Sequence, residues 1–222
     1  MFDTDGRPLH VYWKYERAEM IADGAVHVLG LALGLPAVVA LVALAATRSG
    51  SDVTAAVVVY SVCLLALLAA SAAYNMWPVS RTKWRLRRAD HASIFLLIAA
   101  TYTPFMTRLP PGTASTALFL GVWGVALFGA GLKILLPGRF DRLSIALCLG
   151  LGASGALAWD VVSASLPPTT LMLIVLGALL YAGGVVFHLW EALRFQNAVW
   201  HGFVLVASAV FYSAILHGVV LA

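Results

Sequence analysis

The stretch VTAAVVVYSVCLLALLAASAAY, from Val53 to Tyr74, decides the fold. It contains no Asp, Glu, Lys or Arg, and none follows before Arg81. About 20 such residues in a helix suffice to cross the hydrocarbon core of a bilayer. The alternating ten-residue segments of a membrane barrel are absent, so the segment reads as a transmembrane helix. Working outward, comparable runs occupy 24–46, 91–107, 113–136, 143–161, 169–188 and 199–220, around the first at 53–74. The third is short and meets Pro104 near its end. The expected fold is all-α: seven transmembrane helices in a single domain over 1–222.

Composition agrees with this. Hydrophobic residues make up 62% of the chain and charged residues only 11%, against about 25% charged in a soluble domain. The net charge of +4 does not mark a nucleic-acid partner, because the basic residues lie beside apolar segments, as membrane topology requires. Twelve of the 14 Lys and Arg fall on one side. These are Arg7, Lys14 and Arg17; Arg81, Lys83, Arg85, Arg87 and Arg88; Lys133, Arg139 and Arg142; and Arg194. Only Arg48 and Arg108 fall on the other. The positive-inside bias puts the rich side and the amino terminus in the cytoplasm and the carboxyl terminus outside, in a bacterial inner membrane. Residues 1–22, with Val11, Tyr12, Trp13 and Tyr15 among charges, read as a cytoplasmic segment at the interface, either a short helix or an aromatic anchor. Cys63 and Cys148 lie in apolar runs with no CxxC partner, which excludes a disulfide framework.

Polar residues inside spans are costly and mark functional candidates. Four sets stand out: Glu19, Asp23 and His27; Ser71 and Asn75; Asp90 and His91; Asn197 and His201. Steps of four keep the members of the first, second and fourth sets on one helix face. The first, third and seventh helices begin at the cytoplasmic side and the second ends there, so all four sets meet at one membrane level. A polar pocket at the cytoplasmic mouth of the bundle is the expectation. Taken singly, each residue has a plainer reading, Asp90 as a helix cap and the histidines as packing groups.

Four blocks carry a family resemblance: Glu19-Met-Ile-Ala-Asp-Gly-Ala-Val-His27, Ser71-Ala-Ala-Tyr-Asn75, Asp90-His-Ala-Ser…Thr-Tyr-Thr-Pro-Phe105 and Asn197-Ala-Val-Trp-His201. In this order they resemble the hemolysin III branch of the progestin and adiponectin receptor (PAQR) superfamily. The resemblance implies seven helices and a zinc ion near the cytoplasmic side. In receptor members three histidines bind it, from Ser-x-x-x-His on the second helix and His-x-x-x-His on the seventh. The aspartate opening the third helix holds the metal-bound water. Some members of the superfamily hydrolyse amide bonds in lipids such as ceramide.

Two of the three inherited ligand positions are asparagine here, Asn75 and Asn197; His201, Ser71 and Asp90 remain. A neutral amide is a weak zinc donor, so the inherited site is expected to be degenerate, with zinc weak or absent. One chemical route to a metal remains: His27, Asp90 and His201, with Glu19 or Asp23 as further donors if the first helix leans inward. The candidate metal residues are therefore His201, His27, Asn75 and Asn197, and the candidate catalytic ones Asp90 and Ser71. The favoured reading is a non-catalytic membrane protein of lipid sensing or membrane homeostasis, its partners membrane lipid and a lipid ligand. The alternative is a zinc-dependent hydrolase of lipid amide or ester bonds. Broken helices and paired intramembrane charges, the marks of a transporter, are not evident in the sequence.

Overall fold

The computed structural model describes residues 15–222, so Arg7, Lys14 and the apolar and aromatic residues Val11, Tyr12 and Trp13 lie outside it. Among the described residues there are helices and no strands. In chain order they are α1 (Arg17–Arg48), α2 (Ser51–Met76), α3 (Arg81–Met106), α4 (Thr113–Leu135), α5 (Asp141–Ala153), α6 (Trp159–Ser165), α7 (Pro168–Leu189) and α8 (Gln196–Ile215). A 3₁₀ segment, Ser154–Ala158, joins α5 and α6 into one rod, and a π-turn, Leu216–Val220, extends α8. The result is seven rods. Six of them are long and apolar enough to cross a membrane; α3 is the exception.

Each rod packs on its chain neighbour, and α8 returns to α1 to close the ring. One cluster of the core joins Leu41, Val57, Leu97 and Ile215; a second joins Phe95, Val122, Ala126 and Leu151. The outer surface is as apolar as the inside. Leu120, Leu127, Phe128, Leu179 and Val186 are each more than half exposed, which suits a bundle whose solvent is lipid.

Three boundaries depart from the sequence reading. The expected loop from Arg81 to Arg88 is instead the first two turns of α3. The Ser80 hydroxyl accepts the Lys83 N–H at 3.2 Å and starts the helix. Ser80 is a favourable N-cap residue, and Lys and Arg have good helix propensity; hydropathy alone places the start ten residues too late. α1 likewise begins at Arg17, within the segment expected to lie at the interface, with the Glu19 carboxylate accepting the Glu16 N–H at 2.9 Å.

The third departure is the fifth rod, which is broken where a continuous span over 143–161 was expected. Gly150, Gly152 and Gly155 weaken the helix there. Tyr102 of α3 takes up the freed backbone groups: its hydroxyl donates toward the carbonyls of Leu151 (3.1 Å) and Gly152 (2.9 Å) and accepts the Gly155 N–H (3.0 Å). Such substitution is how membrane helices tolerate interruptions. A broken helix is thus present after all, and its break is filled by a tyrosine.

Candidate functional site

The polar residues collect where α1, α3 and α8 begin and α2 ends. The carboxylate of Asp23 faces α8, and the His201 Nδ1–H donates to its Oδ1 at 2.6 Å. The other oxygen, Oδ2, lies 3.5 Å from Nε2 of His27, one turn along α1. The two imidazole rings are 4.6 Å apart between centroids. On the far side of its ring, His201 Nε2 meets the Ser71 hydroxyl at 3.4 Å. Asn75 donates from Nδ2 to the Ser71 carbonyl (3.0 Å) and toward its hydroxyl (3.4 Å). Asp90, partly buried, faces Ser71 and both imidazoles, and His91 Nε2 is 4.0 Å from its carboxylate.

Ser71, Asn75, Asp90, His201 and His27 are therefore brought together, as the shared membrane level predicts. Asn197 lies one turn before His201 and lines the adjoining cavity. The sequence offers Asp90 as the carboxylate of a set with His27 and His201 and Asp23 as a further donor; in the structure Asp23 lies directly against both imidazoles, with Asp90 facing them. Asp23, His27 and His201 each offer a ligand atom, all within 4.8 Å of one another. Spacing along α1 puts Asp23 and His27 on one face, and the packing of α1 against α8 makes that face meet His201.

Around this cluster the ends of the helices are tied by charge. Lys83, buried, donates from Nζ to the carbonyls of Tyr74, Asn75 and Trp77 at 2.8, 2.9 and 3.0 Å. A cation at the C-terminal end of a helix is favourable, so α3 fixes the end of α2 that carries Asn75. Glu19 accepts the Phe195 N–H at 3.0 Å, holding α1 to the start of α8. Across the bundle, Asp141 accepts from Lys133 Nζ at 2.5 Å and from Arg87 Nη2 at 3.2 Å. These paired charges had no counterpart in the sequence reading, because their partners come from three different helices.

Between the cluster and the Asp141 group lies a cavity of about 860 Å³. Its polar wall includes Asp23, Ser71 and Asp90, and its basic wall Arg87, Lys133 and Arg142. Leu67, Ile94, Phe95 and Val204 supply apolar lining between them.

The zinc implied by the resemblance can be tested against these donors. The inherited three-imidazole set is not present, and the Asn75 amide nitrogen is turned onto Ser71. Asp23, His27 and His201 do offer two imidazoles and a carboxylate, the donor types of a catalytic zinc site. His27 Nε2 is buried and makes no hydrogen bond, as a vacant ligand atom would. That set fits.

Comparison with known proteins agrees with the blocks quoted above. The family model for haemolysin-III related proteins matches residues 17–212. A "Hemolysin-3 homolog" of Bacillus subtilis (strain 168) is 34% identical over 198 residues, covering 89% of this chain and 93% of that one. "Hemolysin-3" of Bacillus cereus is 31% identical, covering 89% and 90%. The human "Monocyte to macrophage differentiation factor" is 30% identical over 165 residues, covering 71% and 67%. No solved structure matches.

Proposed function

This chain belongs to the haemolysin-III related family of integral membrane proteins, and from that premise we propose that it binds a lipid headgroup in the cavity at the cytoplasmic end of a seven-span bundle. It acts there in lipid sensing or membrane homeostasis, without catalysis, as one transmembrane domain over 1–222 of a bacterial inner membrane.

The observation that carries this reading is the cavity, which combines a polar wall, a basic wall and an apolar seam. Basic pockets between membrane helices on the cytoplasmic side suit anionic headgroups. Here Arg87, Lys133 and Arg142 gather on one wall beside Asp141, while Asp23, Asp90, Glu16, Glu19 and Glu191 line the rest of the cavity. Native mass spectrometry of the detergent-purified protein should retain phosphatidylglycerol in preference to phosphatidylcholine. Arg142→Glu should weaken that retention about 30-fold, since one charge near a membrane surface is worth about 1 kcal/mol and a reversal counts twice. Equal retention of both lipids would remove the headgroup assignment.

The orientation has its own test. The end of the bundle carrying Arg81 to Arg88 faces the cytoplasm in this reading, as the positive-inside bias demands. In a background lacking Cys63 and Cys148, a membrane-impermeant thiol reagent applied to intact cells should label Gly112→Cys and spare Val79→Cys. The opposite labelling would invert the bundle and place the cavity outside.

A second reading is supported by one observation, the approach of Asp23, His27 and His201 to one another beside Asp90 and Ser71. In it the protein hydrolyses lipid amide or ester bonds. A bound zinc would supply Lewis acidity, while Asp90 and Ser71 position polar groups of the substrate at the cavity wall. Release of fatty acid from ceramide or phospholipid, lost in Asp90→Asn, would establish this reading over the first.

A further inference from the structure

We infer that Asp23, His27 and His201 form a transition-metal site of zinc type, in which α1 supplies two of the ligands that α2 and the start of α8 no longer provide. The inference holds whether or not the cavity takes lipid.

The donor set selects the class of ion. Two imidazoles and one carboxylate suit zinc and its neighbours, whereas magnesium and calcium favour oxygen ligands throughout. Three protein ligands leave a further position open. The spacing is close to what one ion needs. With bonds of about 2.1 Å, ligands sharing a tetrahedral zinc lie about 3.4 Å apart. His27 Nε2 and Asp23 Oδ2 are 3.5 Å apart. The 2.6 Å between Asp23 Oδ1 and His201 Nδ1 is a hydrogen bond, whose proton a metal would displace.

Independent support comes from His27. It is 7% exposed, yet its Nε2 has no hydrogen-bond partner. Asp23 Oδ2 stands off from it at 3.5 Å, and a buried polar atom without a hydrogen bond asks for an explanation. A missing ligand supplies one. Beside the two imidazoles there is a small cavity of about 20 Å³, bordered by Gly30, Ser71 and Val204, enough for one water-sized body. His201 is also held from behind, its Nε2 against Ser71, the kind of support that orients metal-binding histidines.

The site can be read without any assay of activity. Detergent-purified protein, stripped with a chelator and reloaded, should take up one zinc per chain by elemental mass spectrometry. His27→Ala should bind at least about 100-fold more weakly, the upper range even for outer-sphere losses. It should also melt where the stripped native protein melts, which separates metal loss from misfolding. Asp23→Cys loaded with cobalt should show a sulfur-to-cobalt charge-transfer band, and Asp90→Cys should not. Three results would each overturn the assignment: no metal on the native chain, native affinity in His27→Ala, or the band in Asp90→Cys and not in Asp23→Cys. Metal at this site with no preference for anionic lipid would leave it standing while removing the headgroup reading.

Discussion

Asp141→Asn should destabilise the protein by about 3 kcal/mol, because it strips the carboxylate from two enclosed cations at once. The side chain of Lys133 is 4% exposed and that of Arg87 10%, and both bond to Asp141. Removing one partner of a buried ion pair costs about 3–5 kcal/mol, chiefly by leaving the other charge uncompensated. The Asp141 side chain is itself 40% exposed, so water can reach part of the vacated space, and the lower end of that range applies. A second change isolates the cause. Lys133→Met in the Asp141→Asn background should recover part of the loss, since it removes a stranded cation. A double-mutant cycle in detergent, read by thermal or denaturant unfolding, should give a coupling of about 1–3 kcal/mol. A loss under about 1 kcal/mol for Asp141→Asn would mean that the cavity solvates these cations well, and that its basic wall holds no concentrated charge for an anionic headgroup.

The spans were legible because lipid imposes a simple rule, and a run such as Val53 to Tyr74 satisfies it without reference to the rest of the chain. Where a helix needed something else, hydropathy misplaced it. The first turns of α3 are basic, so their helicity rests on propensity and on the Ser80 cap, neither of which a hydropathy scan reads. The break between α5 and α6 rests on Tyr102, about fifty residues earlier in the chain. Three glycines hint at a weak helix; the hydroxyl that makes the break affordable is a tertiary fact.

The site shows the same division. The level at which the polar sets meet follows from alternating helix direction alone, and Ser71, Asn75, Asp90, His201 and His27 do meet. Which carboxylate lies at His201 depends on helix rotation and tilt, and periodicity cannot choose between Asp23 and Asp90. The Lys133–Asp141–Arg87 group was invisible for a further reason. Asp141 looks like an ordinary acidic first-turn residue, and its value arises only when α3 and α4 bring their cations to it.

The inherited and relocated metal positions can be made to exchange. In a His27→Ala background, adding Asn75→His and Asn197→His should restore one tightly bound zinc per chain. Positions 197 and 201 are i, i+4 on α8, so their imidazoles share a face. Position 75 approaches from α2: Asn75 Nδ2 and His201 Nε2 each lie 3.4 Å from the Ser71 hydroxyl. An imidazole at 75 would thus enter the space that His201 already borders, with Asp90, which faces Ser71 and His201, as an outer-sphere partner. The Lys83 clamp on the Tyr74, Asn75 and Trp77 carbonyls limits how far the end of α2 can drift when the side chain grows. Binding to the folded state alone should stabilise it by about 2.7 kcal/mol at a hundredfold excess of zinc over the dissociation constant. Melting should therefore become chelator-sensitive in the triple variant and remain chelator-insensitive in His27→Ala. Restored zinc would mean that this chain keeps the backbone of a three-histidine site while drawing its own ligands from α1. If the triple variant binds none, the end of α2 has moved out of register with α8, and residues 75 and 197 should no longer be regarded as ligand positions.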